Sequence, residues 1–150
     1  QYDYCLIDCM PELGNLVTAS LAAADSVLIP VQPQILDVEG LASITGTILK
    51  IRRKINPKLE IDGVLITMAD HRTNMTRDMI KAIHTSYGAH TRIYQAIVPR
   101  CTRVSESLTC SESVLRYSKK CPASTAYRAL AKEVEKGARS REKHPSALDR

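Results

Sequence analysis

The 150-residue chain is predicted to adopt an α/β fold, a mostly parallel sheet with flanking helices. Short apolar runs without polar alternation recur along it, as expected of strands covered on both faces. Longer stretches between them return an apolar residue every three or four positions, which marks one face of a helix. The two patterns alternate, and strand–helix–strand order builds right-handed βαβ crossovers.

The strand-like runs are residues 4–8, 26–31, 63–68 and 93–98. The first ends in Asp8, with Pro11 close behind. Leu41, Ile44, Ile48, Ile51 and Ile55 form a helical stripe, and Asn56-Pro57 stops it because the residue before proline disfavours the α region. Met75, Met79, Ile83 and Tyr87 form a second stripe, ended near Gly88. Tyr127, Leu130 and Val134 mark a last helix, with Gly137 beyond. With no Trp or Phe the core must be aliphatic, and the methionines are read as part of it. From Ala138 the composition turns polar and basic without an apolar period. Residues 1–137 are therefore expected to form the folded portion and 138–150 a disordered basic tail.

The formal charge of +5 favours polyanionic partners, with part of the excess in the tail. Cys5, Cys9, Cys101, Cys110 and Cys121 are odd in number and include no C-x-x-C pair, so reduced thiols are expected rather than a disulfide framework or metal site. No apolar stretch approaches the roughly 20 residues of a membrane span. No secretory leader is visible.

Asp8 is the candidate catalytic and metal-binding residue. Ligands of parallel sheets sit at the carboxyl ends of the strands. A carboxylate there, beside a phosphate site, can hold the water shell of a magnesium ion, which is the logic of a Walker B strand. The complementary phosphate cradle, G-x-x-x-x-G-K-[ST], is missing: no Gly-Lys pair occurs in the sequence. The chain starts at Gln1 and enters an apolar run at once, so a C-terminal piece of a longer protein is expected.

Several segments carry a resemblance. They are Tyr2-Asp3-Tyr4-Cys5-Leu6-Ile7-Asp8-Cys9, Ala24-Asp25-Ser26-Val27-Leu28-Ile29-Pro30-Val31-Gln32 and Glu39-Gly40-Leu41. Asn56-Pro57-Lys58-Leu59-Glu60-Ile61-Asp62-Gly63-Val64-Leu65-Ile66-Thr67-Met68 and Arg72-Thr73-Asn74 follow. Ile97-Val98-Pro99-Arg100, Arg103-Val104-Ser105-Glu106 and the stretch from Ala126 to Val134 complete the set. In this order and spacing the chain resembles the C-terminal part of ParA/Soj-type partitioning ATPases, relatives of MinD with a deviant Walker A motif.

The resemblance implies a P-loop NTPase-type sheet and roles for individual residues. Asp8 matches the Walker B carboxylate, with residues 9–14 as a loop sensing the γ-phosphate. Met68, Pro99 and Arg100 lie in the two loops that flank adenine. Arg72 and Arg103 match arginines that bind DNA without sequence preference, by bridging phosphate oxygens and releasing counterions; the competing reading pairs them with carboxylates such as Asp70 or Glu106. The implied cofactors are ATP and Mg2+. The implied partners are non-specific DNA, a ParB-like protein and a second copy in a homodimer, in the cytoplasm at the nucleoid and without a membrane role. This chain alone is expected not to hydrolyse ATP.

The sequence departs from the family where two prolines usually follow the Walker B residues and Met10-Pro11 stands here. It departs again at residues 105–113, where the family's S-E-A-P-S-x-G-K-P has lost its glycine and both prolines. Residues 88–94 also run about two longer than usual. Two alternatives remain open: a MinD-like membrane-site ATPase, which needs an amphipathic C-terminal helix, and a non-enzymatic DNA-binding module.

Overall fold

The computed structural model describes residues 2–10 and 14–143. Helix α1 (Asn15–Ala23) leads into strand β1 (Ser26–Val31), then α2 (Ile35–Lys54), β2 (Glu60–Ile66) and α3 (Asn74–Tyr87). Helices α4 (Thr102–Thr109), α5 (Val114–Tyr117) and α6 (Pro122–Lys143) close the order.

β1 and β2 pair in parallel, with a register irregularity between Val27 and Leu28. Val31 O accepts from Thr67 N at 2.9 Å, so backbone alternation turns Pro30 toward the opposite margin of β1. Proline has no N–H to give, and that margin is unpaired among the described residues, which is where a strand tolerates it.

α2 lays Leu41, Ile48 and Ile51 onto the sheet beside Ile29, Val31, Val64 and Ile66, as its stripe predicts. Asn56 ends α2 and also serves α1. Its backbone N–H returns to Ile51 O, while its side-chain amide donates to Leu21 O at 3.1 Å and Ala24 O at 2.8 Å. Carbonyls at the end of α1 that lack helical partners are thereby satisfied.

The run at 93–98 lies parallel to β2 but is not a continuous strand. Bridges form at Val64–Ile93 and Ala69–Pro99. Tyr94 N donates to Val64 O and Val98 N to Ile66 O, so four residues of one segment span two of the other. The surplus bulges outward, and Gln95 N and Ala96 N donate instead to the Glu133 carboxylate of α6, at 3.0 and 2.8 Å. Beneath the bulge, Tyr94 O–H donates to the buried Asp62 carboxylate, and Arg92 stands 4.6 Å over the Tyr94 ring. Gly63 admits this arrangement, since a Cβ there would lie 3.0 Å from both Arg92 O and the Tyr94 ring. Leu130 and Val134 of α6 pack on Leu65, Tyr94 and Val98.

Three further expectations need correction. Residues 4–8 form no strand: every residue of segment 2–10 is exposed, including Leu6 at 92 %. A strand exists only beside a partner, and among the described residues none lies along it. The folded portion does not stop at Gly137, because α6 continues to Lys143. Ala138 to Lys143 are mostly good helix formers, and proline comes only at Pro145. The rest of the expected tail, 144–150, lies outside the described residues. Finally, Met75 is not core but 62 % exposed; Thr76 and Ile83 take the buried positions of α3.

Candidate nucleotide pocket and arginine surface

The loops leaving β1, β2 and the 93–98 segment converge at the carboxyl ends of the parallel strands. A cleft of about 400 Å³ opens there. Pro33 and Ile35 from the β1–α2 connection, with Met68 and Met75, supply its apolar wall. Gln34, Asp70, Thr73, Thr76 and Arg100 supply its polar rim. Its size and its mixture of apolar wall and few polar groups suit a small-molecule site.

Met68 stands at the turn out of β2 with φ 52°, in the left-handed region. A side chain held there stores strain of order 1–3 kcal/mol. The backbone on either side explains why it persists: Thr67 N is tied to Val31 O and Ala69 N to Val98 O. The Met68 side chain is 44 % exposed into the cleft.

Asp70 shapes the next turn. Its Oδ1 accepts from Arg72 N at 3.1 Å, an Asx turn. The Arg72 guanidinium reaches back with Nε to Oδ1 at 2.9 Å and Nη2 to Oδ2 at 2.8 Å. The Arg72 side-chain bonds, then its backbone bond, hold the Asp70 carboxyl down at about 2. Thr73 caps α3 by accepting from Thr76 N, so the positive end of that helix faces the same cleft.

Arg103 lies in the first turn of α4 and donates to Glu106 Oε2 at 2.7 Å. Tyr117 O–H donates to the same oxygen at 3.2 Å, and this bond, with burial, raises the Tyr117 hydroxyl above its ordinary range. Both arginines singled out from sequence thus carry a carboxylate partner while remaining mostly exposed, at 88 % for Arg72 and 56 % for Arg103.

The structure joins Met68 and Arg100 in one cleft, and Pro99 bridges to Ala69 beside them. Asp8 lies on the exposed 2–10 segment and is not among the residues lining the cleft. Sequence reasoning missed Pro33, Gln34, Ile35, Asp70, Thr73, Met75 and Thr76 as cleft residues. The Thr73-Asn74-Met75-Thr76 helix start was the available signal for the last two.

Met68 and Met75 give the cleft an apolar wall beside its polar rim. A triphosphate finds no glycine-rich cradle in this sequence. Asp8 alone is compatible with magnesium, which takes one or two carboxylates and otherwise phosphate oxygens and water. No cluster of three or more His, Cys, Asp or Glu residues fit to hold a metal occurs among the described residues.

The arrangement is that of an α/β P-loop NTPase-type sheet with flanking helices. A solved structure of cobyrinic acid a,c-diamide synthase from Mycobacterium smegmatis, with bound ADP and magnesium, matches it. The TM-score is 0.70 at 27 % identity, over 89 % of this chain and 46 % of that one. A family model described as AAA domain matches residues 1–61. The chain is 40 % identical over 141 residues to the chromosome partitioning protein ParA of Caulobacter vibrioides, covering 94 % of this chain and 52 % of that protein. It is 37 % identical over 133 residues to the sporulation initiation inhibitor protein Soj of Bacillus subtilis, covering 89 % and 52 %. The chain belongs to the ParA/Soj-type partitioning family, and it spans about half the length of the relatives it matches.

Proposed function

We propose that this chain forms the base-binding and DNA-facing half of a ParA-type partitioning ATPase. The observation that carries the reading is the cleft in which Met68 and Arg100 meet at the carboxyl end of the parallel strands. Met68 and Met75 would cover the adenine face, with Pro99 and Arg100 closing the other loop. Asp8 would hold a magnesium ion through water, next to phosphates cradled by residues beyond this chain. Magnesium there would neutralise charge on the phosphates. The complete protein would dimerise around nucleotide, bind DNA through Arg72 and Arg103 without reading sequence, and be released by a ParB-like partner. Cytoplasmic, nucleoid-associated placement follows from that activity. No helix among the described residues is long and apolar enough to cross a membrane.

Photolabelling with 2-azido-ATP tests the reading directly. Label is expected on the peptides containing Met68 or Arg100 and is displaced by excess MgATP. Displaceable label confined to peptides outside the cleft would refute it. Purified alone, the chain is expected to show no ATP turnover.

A further inference from the structure

Two of the five thiols are brought together by the fold. Cys121 is buried in a small cluster with Val114 and Ala123, and Cys101 packs against that cluster together with Val104. Cys101 is also among the neighbours that lower the Cys121 thiol. Cys5, Cys9 and Cys110 are exposed.

Each of the pair stands at the start of a helix. Cys101 is the N-cap residue of α4 and uses no side-chain cap bond. Cys121 directly precedes α6, and its sulfur accepts from Ser124 N at 3.4 Å while lying 3.3 Å from the Ser124 hydroxyl. That hydroxyl also lies 2.9 Å from Val114 O and 2.8 Å from Ser118 O, which fixes α5 against the start of α6. The buried sulfur is therefore held in place. Burial pushes the Cys121 thiol up, but its hydrogen bonding with Ser124, with smaller help from Ser118 and Cys101, outweighs it and leaves the group below its ordinary value. Helix N-termini favour thiolate in the same sense.

We propose that Cys101 and Cys121 are a redox-active dithiol, closing to a disulfide that staples the start of α4 to the start of α6. Half-buried Cys101 is the entry sulfur and buried Cys121 the resolving one. The co-reactant is a low-molecular-weight disulfide. Cys101 thiolate attacks one of its sulfurs, forming a mixed disulfide and expelling one small thiolate. Cys121 thiolate then attacks the Cys101 sulfur and expels the second. Two protein thiols are oxidised, one small disulfide is reduced to two thiols, and the protein's two protons pass to solvent or to the leaving thiolates. Because Cys101 lies between Arg100 and Arg103, closure tethers the segment bearing both arginines.

The test equilibrates the purified protein with oxidised and reduced glutathione, quenches with acid, and maps peptides without reduction. A Cys101–Cys121 cross-link is expected as the main intramolecular disulfide. It should be at least about tenfold enriched over the same chain treated in concentrated guanidinium, where loop length alone ranks the pairs and Cys5–Cys9 leads. Cys121→Ala should trap glutathione on Cys101, and Cys101→Ser should leave Cys121 a free thiol. Native and denatured maps that agree would overturn the proposal. So would wild-type protein that keeps glutathione on Cys101 while Cys121 remains reduced.

Discussion

Asp70 grips Arg72 with both carboxylate oxygens and a backbone bond, so the arginine proposed to meet DNA is already engaged within its own loop. An exposed ion pair of this kind is weak in water. Phosphate can therefore displace the carboxylate. Asp70→Asn is expected to raise affinity for duplex DNA by up to about fivefold. Arg72→Ala should lower it equally on unrelated sequences and reduce the slope of log K against log salt by about one. Fluorescence anisotropy at several salt concentrations reads both. Unchanged affinity in both variants would remove Arg72 from the interface.

The same pair sets a pH dependence. The Asp70 carboxyl is depressed in the folded chain, from 3.8 to about 2. Its contribution is then present above the ordinary value and is lost as pH falls from about 3.8 toward 2. Carbon-detected NMR titration should give Asp70 a midpoint well below the other carboxyls, and Arg72→Ala should return it toward the ordinary value.

Glu133 replaces missing sheet bonds. Its carboxylate satisfies the amides of Gln95 and Ala96 while Arg92 contacts it at 3.7 Å. Glu133→Ala leaves two backbone donors without this acceptor and should cost about 2–4 kcal/mol in urea unfolding. Glu133→Gln keeps one good acceptor and should cost roughly half as much. Equal losses would mean that packing, not the hydrogen bonds, holds α6 here.

Strain at Met68 makes an opposite prediction. Met68→Gly removes the penalty of a positive φ and should stabilise the fold by up to about 1 kcal/mol while weakening nucleotide binding. Met68→Ala should weaken binding without the stability gain. Thermal unfolding and ATP-analogue titration separate the two effects.

At the end of α1, Asn56→Ala should cost about 1–2 kcal/mol, because two carbonyls lose their donor. A loss confined to α1 would appear as faster amide exchange there, with α2 unchanged.

Periodicity located α2 and α3 well because each buries one stripe on the sheet. It also found β1 and β2 from their continuous apolar runs, although only β2 is buried on both faces and β1 leaves Pro30 exposed. It failed where a segment's state depends on a distant partner. Residues 4–8 have strand composition but no neighbour among the described residues, and residues 93–98 bulge toward a carboxylate nearly forty positions away, Glu133. Helices α4 and α5 are short and amphipathic only against each other and α6, so no stripe announced them. In the cleft, Met68 and Arg100 were legible through family likeness. Met75 was not, since apolar spacing alone does not separate a core methionine from one that walls a pocket.

The bulge at Gln95 and Ala96 gives the sheet two unlike margins. Along the outer one, a carboxylate has already claimed consecutive amides, so an incoming chain meets no regular row of donors and cannot add to it. Along β1 the row lacks only the donor at Pro30. Among the described residues, an added strand therefore finds a regular row of backbone groups beside β1 and not at the opposite rim.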